Sequence, residues 1–254
     1  MATVAGSRWP AGGTLELMPH RIRAETAECP ATGPDWLAEI DCEMARALCR
    51  AAVSTDPRDC PDLIDRLCAG GIDAGTLADR HIAAAVCALG DAWLADRTDW
   101  GTVTIGSARL QSMLRRLPTP RPRDPGAPTV LVATGPDIAH TFGPVLLAHR
   151  LRREGVSVAL ELASTPEAVG ARLRAVRADA VLVSAGLPDR CDTLGRTVKH
   201  VRVLNSGVPV VVGGALLAVR PDLPRVIGAD YGTSDVRKAL ELCGLTARLA
   251  PQRA

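Results

Sequence analysis

The chain has 254 residues, 47% of them hydrophobic, enough for one large domain or two small ones with buried cores. A formal net charge of +2 with 23% charged residues gives neither nucleic acid nor an anionic membrane a strong electrostatic partner, and no stretch stays apolar long enough to span a bilayer. The eight cysteines, at 29, 42, 49, 60, 68, 87, 191 and 243, include no CxxC pair, and the N-terminus has no apolar leader core, so a reducing, cytoplasmic setting without disulfides is expected.

Residues 1–34 show no strong periodicity and read as a flexible arm, which carries His20. From 35 to 117 the pattern is helical. Trp36, Leu37, Ile40, Met44, Leu48 and Ala52 recur at helical spacing within Asp35–Val53. Pro61–Ala69 reads as a short helix entered through Asp59-Cys60-Pro61. Asp73–Ala95 is a long Ala-rich helix, Trp100-Gly101 breaks the chain, and Thr102–Leu117 forms the last helix of a four-helix bundle. The segment 118–128 holds five prolines and reads as a semi-rigid linker.

From 129 to 254 strand and helix patterns alternate. Strands are expected at 129–133, 156–161, 179–183, 208–212 and 225–228, and helices at 142–154, 166–177, 190–205, 214–219 and 233–243. Short, Val-rich strands between helices imply a doubly wound, flavodoxin- or Rossmann-like parallel sheet of five strands. The fold class is therefore α/β, with an N-terminal helical bundle.

In such a sheet ligands bind beyond the carboxyl ends of the strands, at the switch point. The first strand leads into Asp137-Ile-Ala-His140-Thr141-Phe142-Gly143, the third into Ser184-Ala-Gly186, and the fourth into Gly213-Gly214. The fifth strand is expected to lead into Gly228-Ala-Asp230-Tyr231-Gly232. In a 2-1-3-4-5 strand order His140 and Ser184 would meet on one cavity, and the glycines would keep it open to a bulky ligand. Each residue also has an ordinary structural use: Asp137 suits a turn or cap, Gly-Gly a turn, and a strand-end histidine a hydrogen bond. GxGxxG, the Walker pattern and a nucleophile elbow are absent.

Taken in chain order, His140-Thr-Phe-Gly143, Ser184-Ala-Gly186 and Gly213-Gly214 resemble the three motifs of cobalamin (vitamin B12)-binding domains: Asp-x-His-x-x-Gly, Ser-x-Leu and Gly-Gly. The resemblance implies that His140 is the lower axial ligand and that the cofactor's nucleotide tail lies among Ser184, Gly186, Gly213 and Gly214. Asp137 stands three residues before the histidine instead of two, and Gly186 replaces the leucine. With the helix Val103-Thr-Ile-Gly-Ser-Ala-Arg109-Leu-Gln111-Ser-Met-Leu114-Arg, these departures resemble the AerR/PpaA branch of photosynthesis-gene regulators and its heme-binding sensor relatives.

That branch implies a light-responsive antirepressor, not an enzyme, that binds adenosyl-, methyl- or hydroxocobalamin. It would act on a transcriptional repressor of the CrtJ/PpsR type without binding DNA directly. Leu89-Gly90-Asp91-Ala92-Trp93 is similar to the region of cobalamin photoreceptors that covers the upper corrin face, and Trp93 or Trp100 either does so here or belongs to the bundle core. The helix after Trp93 lacks the family's upper histidine, which leaves His20 as a conditional upper ligand. Two alternatives share the fold: a heme-binding redox sensor, and a corrinoid carrier or methyltransferase module.

Overall fold

Local caps and shared apolar faces account for the helices of the first half. The computed structural model describes residues 37, 42–119, 126–136, 141–187 and 189–249. The arm with His20, the centre of the proline-rich segment, Asp137 and His140 lie outside the described residues. α1 (Glu43–Val53) buries Ala45, Leu48, Cys49 and Ala52, and α2 (Asp59–Ala69) carries Pro61 in its first turn, where no amide proton is missed. α3 (Ala74–Thr76) starts at Asp73, whose carboxylate accepts the Thr76 N–H at 2.7 Å. A π-helical turn (Leu77–Ile82) and α4 (Ala83–Leu94) complete the long helix expected over 73–95.

The boundary before α5 (Trp100–Arg116) corrects one expectation. Trp100-Gly101 opens this helix instead of breaking the chain. Asp99, in an extended conformation, accepts the Thr102 N–H at 2.9 Å and the Thr102 hydroxyl at 2.7 Å, so the cap fixes the start. Gly106 lets α5 pack closely on α4, since a Cβ there would stand 3.0 Å from Leu89 Cδ1.

The second half is a parallel sheet of β1 (Thr129–Ala133), β2 (Ser157–Glu161), β3 (Ala180–Ser184), β4 (Val210–Gly213) and β5 (Tyr231–Gly232), in the order β2-β1-β3-β4-β5. Its crossovers are α6 (Phe142–Arg153), α7 (Pro166–Val176), α8 (Cys191–Leu204), α9 (Ala215–Val219) and α10 (Leu223–Ile227), and α11 (Val236–Leu242) follows β5. Alternate strand residues bury on opposite faces. Leu131, Val181, Val183, Val210 and Val212 pack with Val169, Leu173, Leu194 and Val198, while Val130, Val132, Leu182 and Val211 pack with Leu151, Ala239 and Leu240.

The segment 225–228 is the second correction: it is helical, part of α10, and not a strand. Pro224 sits in the first turn of α10, where its fixed φ suits a helix, and Gly228 closes the helix in the left-handed region at φ 77°. The fifth strand is the short pair Tyr231–Gly232 instead.

From Gly33 onward the chain is one compact unit, and α6 is what joins its halves. Val145 and Leu146 are buried in the same core as Leu48, Leu89, Leu110, Met113 and Leu114 of the bundle, with Phe142 against it. Among the described residues no helix is long and apolar enough to cross a membrane.

Candidate cofactor site at the carboxyl end of the sheet

β1 and β3 lie side by side at the switch point, with Ala133 paired to Val183, so their loops leave the sheet next to each other. Thr134 is buried; its amide donates to Glu161 O at 3.1 Å and its Oγ1 accepts the Ala163 N–H at 2.7 Å. These bonds pin the start of the loop that carries His140. The loop returns to described structure at Thr141, and Gly143 lies in the first turn of α6 with nothing within 4 Å of where a Cβ would stand. Ser184 ends β3 and pairs with Gly213. Thr141, Gly143, Ser184, Gly186, Gly213 and Gly214 thus all lie at the carboxyl end of the sheet, as the motif order predicts.

The two adjacent glycines also meet a demand of the protein's own backbone. A Cβ on Gly213 would come within 2.5 Å of Thr233 O, and one on Gly214, at φ 104°, would overlap the Ala185 carbonyl oxygen. Ala185 N–H donates to Gly213 O at 2.8 Å, and Leu216 N–H returns to Ala185 O at 3.2 Å. These glycines therefore let three loops of the protein meet, whereas Gly143 has open space where a Cβ would stand.

Tyr231 is not in a loop beyond the sheet. It is paired with Val211 inside β5 and is 38% exposed on the sheet's edge. Asp230 belongs to the opposite end: it accepts the Val210 N–H at 2.7 Å and pairs with Arg202, which holds its carboxyl below the usual range against the upward push of burial. The loop that does leave β5 is Thr233-Ser234-Asp235, where Ser234 Oγ accepts the Gly214 N–H at 3.4 Å.

Sequence reasoning passed over Asp189 at this end, and over the contact that Gln111 makes. Asp189 is buried; its Oδ2 accepts the Gly186 N–H at 2.6 Å, while its Oδ1 lies 3.2 Å from where a Cβ of Gly135 would stand. It braces loop three against loop one. The available signal was an acid three residues after a loop glycine. Gln111 Nε2 donates to Thr141 Oγ1 at 2.8 Å and ties α5 to the start of α6. Only the tertiary arrangement shows this pair.

Trp93 and Trp100 are 41% and 69% exposed, which overturns the reading of both as bundle core. Trp100, Thr104, Ser107 and Gln111 recur four, three and four residues apart along α5, one stripe of the helix. The stripe runs about 16 Å from the Gln111–Thr141 contact to the exposed indole of Trp100. Among the described residues no three His, Cys, Asp or Glu side chains gather as a metal site.

The overall fold, a five-stranded parallel sheet with an N-terminal helical region, is shared with a solved structure. The monomethylamine corrinoid protein of Methanosarcina barkeri superposes with a TM-score of 0.60 over 83% of this chain and 99% of its own, at 18% identity. A cobalamin-binding protein from Desulfitobacterium hafniense DCB-2 matches at 18% identity over 84% of this chain and 98% of its own, with a TM-score of 0.43. The family model of the B12 binding domain matches residues 128–241. An uncharacterized 20.5 kDa protein in the bchF-crtJ intergenic region of Rhodobacter capsulatus is 32% identical over 179 residues, 68% of this chain and 93% of that protein. The chain belongs to the B12-binding-domain family.

Proposed function

We propose that this protein is a cobalamin-dependent, light-responsive antirepressor that acts on a repressor of the CrtJ/PpsR type and catalyses no reaction of its own. The observation that carries the reading is the Rhodobacter relative in the bchF-crtJ interval. Its aligned stretch is longer than everything from residue 128 to the C-terminus, so the likeness takes in helical residues as well as the B12-binding match.

His140 would hold the cofactor's metal, and the loops at Ser184, Gly186 and Gly213-Gly214 would receive its nucleotide tail. When bound, an alkylcobalamin supplies a light-sensitive cobalt–carbon bond. The bundle covers the other face. Trp100 suits this role better than Trp93, because its stripe on α5 begins at the cofactor loop. His20, in the N-terminal segment, is the reserve upper ligand.

The test is the absorption spectrum of protein loaded with adenosylcobalamin in the dark, before and after illumination. His140→Ala is expected to return the bound spectrum toward that of the free cofactor and to weaken retention at least tenfold. An unchanged spectrum removes His140 from the site. Uptake of heme with a strong Soret band, and of no corrinoid, replaces the cobalamin reading by the heme-sensor one.

A further inference from the structure

The loop that carries His140 leads straight into α6, and the bundle holds α6 at both ends. At the far end Asp79, in the π-helical turn, accepts from Arg150 Nε at 2.9 Å and from Arg153 Nη1 at 2.7 Å. Gly75 makes room for this, since a Cβ there would stand 2.5 Å from Arg153 Cζ. In the middle Val145 and Leu146 are buried in the bundle's core. At the near end Gln111 Nε2 donates to Thr141 Oγ1 at 2.8 Å.

Α helix of 12 residues is a rod about 18 Å long, so its two ends move together. With the far end clamped by one carboxylate on two guanidinium groups, the near end can shift only as far as the Gln111–Thr141 bond yields. A hydroxyl both donates and accepts, so the bond survives either orientation of the carboxamide. Thr141 follows His140 directly in the chain, and the bundle thereby holds the backbone beside the axial residue.

Resting on the corrinoid reading of the site, we propose that Gln111 is a positioning residue for the axial ligand: by holding Thr141 it sets how firmly His140 is presented to the cofactor. The experiment uses the full chain and hydroxocobalamin in the dark, with Gln111→Leu, Thr141→Val, Thr141→Ser and the double variant Q111L/T141V. It reads the fraction of bound cofactor showing the histidine-ligated spectrum, the rate of cofactor release, and the melting temperature of the cofactor-free protein.

Losing one neutral hydrogen bond speeds release about fivefold in Q111L and T141V, with a matching fall in the histidine-ligated fraction. T141S keeps the hydroxyl and behaves as the parent does. The double variant is no worse than either single one, because both remove the same bond. A purely structural role would lower the melting temperature and leave the ligated fraction untouched. Parent-like release and spectra in both Q111L and T141V overturn the proposal, as does full additivity in the double variant. If the parent protein itself takes up no hydroxocobalamin, the corrinoid reading fails and the proposal goes with it. If the parent binds and the variants match it, the positioning role alone fails.

Discussion

Gly143 and Gly214 both sit where a strand's loop enters a helix, yet a methyl group tells them apart. At Gly214, φ 104° and the Ala185 carbonyl leave no room, so Gly214→Ala is expected to cost at least about 2 kcal/mol in urea unfolding. At Gly143 the space beside the backbone is open and the residue is helical, so Gly143→Ala leaves stability equal or raises it by up to about 1 kcal/mol. If the cofactor approaches the backbone there, as proposed, corrinoid uptake by G143A is expected to fall although the protein is well folded. Uptake equal to the parent's would assign that clearance elsewhere. The sequence placed Thr141, Gly143, Ser184, Gly186, Gly213 and Gly214 at this end of the sheet, because strand ends and loop order follow from pattern, but it also placed Tyr231 there, which is paired inside β5. It did not show which glycines serve the backbone and which serve a ligand; Thr233 O and Ala185 O approach from remote parts of the chain. Asp189 left a local signal in its spacing from Gly186, but its approach to Gly135, on another loop, did not.

At the scale of elements, α6 carries a buried histidine close to Asp79 of the bundle. His149 is buried, and neither of its ring nitrogens finds a partner among the described residues. Burial holds its basicity down, and Arg153, Arg152 and Arg150 add to this while Asp79 opposes. The unfolded chain then binds a proton near pH 6.5 that the folded protein refuses, so stability is full above that pH and is lost as the pH falls. The melting temperature is expected to drop between pH 7 and 5, and His149→Leu to remove most of that drop. His81, half-buried beside Cys42 and shifted the same way by burial and Arg80, accounts for the remainder. A slope in H149L as steep as the parent's would place the sensitivity outside His149. Asp79 acts only in stronger acid: burial pushes its carboxyl up, but the bonds from Arg150 and Arg153 outweigh this and keep it below the usual range. Element boundaries were legible where a cap speaks locally. Asp99-x-x-Thr102 marked the start of α5 for a reading that weighs caps above the Trp-Gly break. The stretch Arg225-Val-Ile-Gly228 looked like a strand by its β-branched pair, while Pro224 and the left-handed Gly228 make it a helix. The π turn at Leu77–Ile82 has no local signature; it places Asp79 against α6, a demand that comes from tertiary structure.

For the whole molecule, the question is whether bundle and sheet unfold as one. A proline-rich segment suggests two independent bodies, but α6 belongs by sequence to the second half and by burial to the first half's core. Removing the bundle would expose Phe142, Val145, Leu146, Leu160 and Leu162 together, an apolar surface that a free α/β domain would have to hide. Cooperativity is therefore expected to span the seam. The chain supplies two separate reporters. Trp93 and Trp100, in α4 and α5, are the tryptophans among the described residues, so their fluorescence follows the first half. Cys243, after α11, reports on the second: burial pushes its thiol up to about 11, and it should resist alkylation until that half opens. In urea the two midpoints are expected to coincide in the parent. Leu146→Ala, which removes seam contacts and leaves both sheet faces intact, should lower stability by about 2–3 kcal/mol and pull the midpoints apart. Midpoints already separate in the parent would mean that the halves fold alone. In that case α6 could not carry a shift of the loop before it into the bundle.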